Sequence, residues 1–293
     1  MNSTARVVIT EISGILGSTS NVYTLVCIAR FRHLRSKVTN ILIGNMCVCG
    51  VLLAITGTVV LMNYTVNVTL MDSVVGAASI TTLYMSLLII LLIGVDRMIA
   101  VADPIGYKIR MTQKKAGLAL VIMWVICTGF CMGVVTPTLY ETNMCRFFPE
   151  TVYKSFVLPL TVIITTAVVA IYVGILVEFL RQRKRAKLQF SGQFLPAIRR
   201  SRYLTKMTLF ILIVFLATWL PYMTVTLRGP PAEGSSEVAF RTYRWIDHIT
   251  HGLLHASSFT NCLVYAFTNP EYRKAYRDLL GCKKSQVNPS SSF

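Results

Sequence analysis

The chain has 293 residues, 54% of them hydrophobic and only 14% charged, with a formal net charge of +17. Such a composition excludes an ordinary soluble domain and marks an integral membrane protein. The basic excess reads as membrane topology and contact with anionic lipid, not as nucleic-acid binding.

Seven stretches are free of Asp, Glu, Lys and Arg, or nearly so: Val7–Ala29 (apart from Glu11), Val38–Met62, Ser73–Val95, Ala116–Tyr140, Ser155–Val177, Met207–Leu227 and His248–Pro270. Each has about the length of a helix that crosses a bilayer core of roughly 30 Å. The spacing predicts spans near 7–29, 38–62, 73–97, 116–138, 153–180, 203–228 and 245–267, with a surface helix near 270–281 and a tail at 282–293. The expected fold is an all-α membrane protein, a seven-transmembrane helix bundle occupying 1–293 as one domain. Short loops leave no room for a soluble domain, and no cleavable signal peptide is expected before Val7.

The first two spans carry small and polar residues suited to close helix approach, among them Gly14, Gly17, Asn21, Asn40, Gly44, Asn45 and Gly50. The third span runs without charge from Asp72 to Asp96 and meets Arg97 at its inner end. An adjacent acid and base there is either a snorkelling pair or a switch whose arginine fork can be released to a partner's carbonyls. Pro104-Ile105 follows, placing an apolar side chain among cytoplasmic charges. Trp124 lies in the fourth span, Pro159 in the fifth, and Phe215, Trp219, Pro221 and Tyr222 in the sixth, where proline removes a backbone hydrogen bond and predicts a kink beneath a large aromatic. After the seventh span, Tyr272, Ala275, Tyr276, Leu279 and Leu280 recur at helical spacing, with Pro270 at the start and Gly281 at the end. That pattern predicts a short amphipathic helix on the inner leaflet. Cys282 beside Lys283-Lys284 is either a palmitoylation site or an unmodified cysteine.

Charge sets the orientation. The loops after spans one, three and five, together with the tail, hold 23 Lys and Arg against six elsewhere. By the positive-inside rule that face is cytoplasmic and the N-terminus extracellular. Glycosylation sequons begin at Asn2, Asn63 and Asn67, all on the side assigned to the exterior. Cys145 is the lone cysteine in an extracellular segment, so no disulfide is expected, and nothing resembles spaced metal ligands.

Seven spans, Asn21, Asp96-Arg97, Trp124, Pro159, Trp219-Leu220-Pro221, Asn261-x-x-x-Tyr265 and the amphipathic inner helix together resemble the rhodopsin-like (class A) G-protein-coupled receptors. The resemblance covers nearly the whole chain and implies a plasma-membrane receptor whose partners are an unknown extracellular ligand, membrane lipid and a heterotrimeric G protein. It implies no cofactor and no enzymatic activity. In the family, the arginine matching Arg97 is held by the neighbour matching Asp96 at rest, and turns to the G-protein's C-terminal helix when the sixth span swings out about the kink at Trp219–Pro221. Tyr265 moves inward in support, Ile105 matches the residue that docks in a G-protein pocket, and Phe215 and Asn261 belong to the same switch.

Departures set the chain beside chemosensory-like or orphan members. Met98 stands where tyrosine is usual, Cys262 for the seventh-span proline, Ala167 for the fifth-span tyrosine, and Gly50 for the sodium-binding aspartate. Asp72 replaces the third-span cysteine that pairs with the position of Cys145, and Ser201 stands where many members have an acid restraining the arginine. These losses motivate a second reading, a non-signalling decoy or partner-regulating heptahelical protein.

On the ligand side, Ser79 stands where amine receptors hold an aspartate, and His255 where opsins hold the retinal lysine. Asp247, His251 and His255 form one stripe on the seventh span, and Glu11 lies on the neighbouring first. Intramembrane ionisable groups are either ligand contacts or hydrogen-bonded structural residues. The implied pocket comprises Glu11, Ser79, Thr82, Leu83, Trp219, Tyr222, Asp247, His251 and His255.

Overall fold

A bilayer offers backbone N–H and C=O groups no water, so a spanning segment satisfies them within its own helix. The computed structural model describes residues 3–66, 69–103, 106–135, 158–188, 195–232 and 234–281. Its helices in chain order are α1 (Ser3–Arg30), α2 (Arg32–Arg35), α3 (Val38–Val66), α4 (Thr69–Ala102), α5 (Tyr107–Arg110), α6 (Gln113–Phe130), α7 (Leu158–Leu188), α8 (Leu195–Arg228), α9 (Glu237–Thr268) and α10 (Pro270–Leu279). The seven long ones carry the seven spans. Six of them are long and apolar enough to cross a membrane. The other, α9, carries Glu237, Arg241, Arg244, Asp247 and three histidines along its length.

α4 is the central helix, packing on α3, α6, α7 and α8, while α1 meets α3 and α9 and so closes the ring. The core runs along α4 through Ala77, Met85, Leu87, Ile89, Ile90 and Ile93, all nearly or wholly buried. Lipid-facing positions are apolar too, as Leu118, Val121 and Val125 of α6 show by being more than half exposed. Small residues set the tightest approaches. A Cβ on Gly94 would stand 2.7 Å from the ring of Tyr172 in α7, and one on Gly174 of α7 would stand 2.4 Å from the methyl of Met98. The two helices thus interlock by reciprocal large-into-small contacts, which gives Met98 a packing role.

Two details differ from the sequence expectation. The third-span helix continues past Asp96-Arg97 to Ala102, because no proline or glycine intervenes before Pro104. Leu280 is 67% exposed, since it lies just beyond α10. α10 itself is capped by the Asn269 side chain, which accepts from the Glu271 amide at 3.0 Å, and ends before Gly281 at φ 71°.

Candidate functional site

The Asp96-Arg97 pair lies on α4 facing α3 and α5. Asp96 is fully buried and Arg97 nearly so, and two such charges need full hydrogen bonding to be tolerated. Oδ2 of Asp96 accepts from Arg97 Nε at 3.0 Å and Nη2 at 2.6 Å, and from Thr39 Oγ1 at 2.8 Å. Oδ1 accepts from the Tyr107 hydroxyl at 2.6 Å. Arg97 Nη2 also donates to Thr39 Oγ1 at 2.5 Å, and its guanidinium carbon lies 5.8 Å from the Tyr107 ring centroid. Carboxylate, guanidinium, hydroxyl and phenol therefore form one closed, charge-assisted network joining three elements.

Local sequence explains how α5 presents its tyrosine. Asp103 Oδ1 accepts from the Gly106 amide at 2.9 Å, and its other oxygen lies 3.4 Å from Arg110, which fixes the turn entering Tyr107. Burial pushes the Tyr107 phenol up to about 12; the Asp96 charge adds to this and the Arg97 charge opposes it. The phenol consequently stays a donor at every physiological pH. Sequence reasoning missed both Thr39 and Tyr107. Their partnership with Asp96 spans 57 and 11 residues, and a threonine opening an apolar run or a tyrosine in a short loop carries no local signal of it.

Tyr265 is fully buried, donates to Met46 Sδ at 3.7 Å and packs on Tyr272 with centroids 5.4 Å apart. Tyr272 in turn meets Tyr276 edge-on, and the Tyr276 hydroxyl lies 3.0 Å from Thr24 Oγ1. Lys37 pairs with Glu271, so α10 is tied to both α1 and the start of α3. Burial raises the Tyr272 phenol well above its ordinary range.

In α8, Trp219 stacks on Phe215 at 5.8 Å and meets Tyr222 at 6.2 Å. Its buried Nε1 has no hydrogen-bond partner among the described residues, two residues from Pro221, which lacks the N–H that would close the bond to the Ala217 carbonyl. Trp124 Nε1 donates to Asn45 Oδ1 at 3.4 Å, joining α6 to α3. Glu11 accepts from Thr58 of α3 at 3.4 Å. Ser79 and Thr82 donate back to the carbonyls of Val75 and Ala78, and Leu83 packs against the core. Asp247 Oδ2 lies 3.8 Å from His248 Nδ1. The side chains of Asn63, His251, His255 and Asn261, and residues Asn2, Asn67, Ile105, Cys145 and Cys282, lie outside those described.

The family holds a sodium ion near the position of Gly50, and the described residues there do not fit one. Gly50 supplies no ligand atom, the Asn21 amide lies 2.4 Å from where a Cβ would stand, and Ser86 donates its hydroxyl to the Thr82 carbonyl. Among the described residues, no group of three or more His, Cys, Asp or Glu is placed to hold a metal.

The family model for "7 transmembrane receptor (rhodopsin family)" matches residues 20–265, from Ser20 in α1 to Tyr265 in α9. The chain belongs to this family. It is a multi-pass membrane receptor. This rhodopsin-family receptor is 24% identical over 219 residues to the QRFP-like peptide receptor of Branchiostoma floridae, an alignment covering 67% of the chain and 55% of the relative. It is 25% identical over 291 residues to the allatostatin-A receptor of Bombyx mori, covering 92% and 77%. With the alpha-1A adrenergic receptor of Oryzias latipes it shares 24% identity over 341 residues, covering 99% and 70%. Peptide and adrenergic receptors resemble this receptor about equally, so the likeness selects neither ligand class.

Proposed function

We propose that this receptor sits in the plasma membrane with its N-terminus outside and couples binding of an extracellular ligand to activation of a heterotrimeric G protein. The observation that supports this reading is the network holding Arg97 to Asp96, Thr39 and Tyr107 on the central helix. Arg97 is the group to be released. Swinging α8 outward about Pro221, beneath the Phe215–Trp219–Tyr222 cluster, opens the inner face for a partner helix whose terminal carbonyls accept from the guanidinium. Tyr265 then leaves Tyr272 and turns inward, with Asn261 beside it, and Ile105 docks in the partner. Ligand and G protein bias the same two-state bundle, so each strengthens the other's binding. The ligand side is assigned to Glu11, Ser79, Thr82, Leu83, Trp219, Tyr222, Asp247, His251 and His255. Asn2, Asn63 and Asn67 are glycosylation sites in this orientation, and Cys282 is an anchor for palmitate.

Nucleotide exchange on a panel of purified G proteins, with the receptor reconstituted in nanodiscs, tests the proposal. Exchange is expected with wild type and not with Arg97→Ala, at equal surface expression. Normal exchange by the variant removes Arg97 from the mechanism. No exchange on any G protein, with or without ligands, replaces signalling by the decoy reading.

A further inference from the structure

Cys127 of α6 and Cys131, which caps it, are four residues apart, a spacing that puts both thiols on one helix face. That face turns inward: Cys131 is fully buried and Cys127 is 7% exposed. The two side chains hydrogen-bond to each other. Cys127 Sγ also meets the Thr81 carbonyl of α4 at 3.6 Å. The Thr81 hydroxyl donates to the Ala77 carbonyl at 2.8 Å and lies within hydrogen-bonding reach of the Cys131 sulfur. Cys49 of α3 hydrogen-bonds instead with Ser86. The backbone around the pair is soft. Gly129 and Gly133 bracket Cys131 with open space where a Cβ would stand, and a π-helical turn, Cys131–Val135, begins at Cys131 itself. The membrane-crossing part of this helix runs over Gln113–Gly133, which sets the pair near its end, where Gly129, Met132 and Gly133 are exposed.

We infer that Cys127 and Cys131 form a dithiol that a lipid hydroperoxide, carried on an oxidised acyl chain of the bilayer, converts to a disulfide. The Cys131 sulfur attacks the terminal oxygen of the hydroperoxide; the O–O bond breaks, the lipid alcohol leaves with the thiol proton, and Cys131 becomes a sulfenic acid. The Cys127 sulfur then attacks that sulfur, the S–S bond forms, and the S–O bond breaks as hydroxide departs with the Cys127 proton as water. One disulfide is made while one hydroperoxide is reduced to an alcohol and water. Cys131 takes the first step because the Thr81 hydroxyl can turn to its sulfur, and because exposed Met132 and Gly133 follow it directly. Apolar surroundings admit an uncharged oxidant and exclude a charged one. Closure is the demanding step. Side chains at i and i+4 of a regular helix have Cβ atoms about 5–6 Å apart, and a disulfide needs about 3.5–4.5 Å, so the turn must tighten by about 1–2 Å. The two glycines and the π-helical turn supply that freedom. On closure Cys127 gives up its proton, and with it the contact to the Thr81 carbonyl that joins α6 to α4.

Full-length receptor in phosphatidylcholine nanodiscs is exposed to a phosphatidylcholine hydroperoxide within the disc, to hydrogen peroxide in the water, or to oxidised glutathione. Unfolding in an alkylating agent and peptide mapping then read the state of each thiol, independently of signalling. The lipid hydroperoxide is expected to convert most of the receptor to the Cys127–Cys131 disulfide, hydrogen peroxide to do so more slowly, and oxidised glutathione, charged and confined to water, not at all. Cys127→Ser should stop at a Cys131 sulfenic acid that dimedone traps, and Cys131→Ser should leave Cys127 a thiol. Should a serine variant not purify, the wild-type map decides by itself between linked and free thiols. Thiols that alkylate as fully after the lipid hydroperoxide as before it, a linkage of either cysteine to Cys49, a sulfenic acid on Cys127 in place of Cys131, or oxidation by glutathione disulfide or hydrogen peroxide that matches or outpaces the lipid hydroperoxide would each overturn the inference.

Discussion

Tyr107 reaches across from α5 to share the carboxylate that holds Arg97, and it supplies the shortest of the hydroxyl contacts to Asp96, 2.6 Å. A hydrogen bond to a charged group contributes about 1.5–3 kcal/mol. If the contact exists only at rest, its loss shifts the resting-to-active ratio by about ten- to a hundredfold. Tyr107→Phe is therefore expected to raise basal nucleotide exchange without lowering surface expression, and an unchanged basal rate would remove Tyr107 from the resting lock. The phenol also fixes a pH window. Its value is raised from 10.0 to about 12, so the neutral phenol's contribution to stability is complete below pH 10 and is lost as pH rises towards 12. Alkaline thermal melts of wild type should fall in that interval more than those of Tyr107→Phe. At Gly50 the prediction is a null effect. Melting temperature should be equal in sodium and potassium chloride, and Gly50→Asp should lower it rather than create sodium dependence, because its Cβ meets the Asn21 amide at 2.4 Å. A sodium-stabilised wild type would contradict this.

Between elements, α4 and α7 are matched by two contacts of opposite sense. Gly94 receives the Tyr172 ring, whose hydroxyl reaches the Ile90 carbonyl at 3.2 Å, and Gly174 receives the Met98 methyl. The ring is rigid and flanked by Ile171, 3.0 Å from a Cβ at Gly94, whereas the methionine methyl is the free end of a flexible chain. Gly94→Ala should consequently cost about 1–3 kcal/mol in thermal stability, and Gly174→Ala clearly less. Equal losses in paired melts would mean that Met98 is as constrained as Tyr172.

At the scale of the whole bundle, the balance of two states depends on what restrains Arg97 from the side of α8. The inner part of α8 offers Arg199, Arg200, Ser201 and Arg202, with no acid. Repulsion among solvent-facing groups is screened and amounts to less than about 1 kcal/mol. The lack of an attractive lock adds to it, so appreciable ligand-independent exchange is expected. Ser201→Glu should reduce it by restoring a partner for Arg97. Basal exchange plotted against receptor density gives the comparison; a silent wild type that still answers an agonist, or an unchanged slope in the variant, would mean that the network with Asp96, Thr39 and Tyr107 suffices alone.

Some of this was legible in the chain because it depends on local repetition. Uncharged runs of bilayer length, the excess of Lys and Arg on one set of loops, and the spacing of Tyr272, Ala275 and Tyr276 report on helices one at a time, since a lipid environment acts on every segment separately. Asp96-Arg97 and Trp219–Pro221 are contiguous or nearly so, and they too can be found by reading along the sequence. The partners of those groups could not. Thr39 and Tyr107 meet Asp96, and Tyr172 meets Gly94, only once helices pack. These are pair contacts between distant residues, and no periodicity encodes them. The sequence by itself determined which segments enter the membrane; tertiary packing alone decided which buried charge is satisfied by which hydroxyl, because a buried ion pair takes its remaining hydrogen bonds from whatever donors the neighbouring helices present.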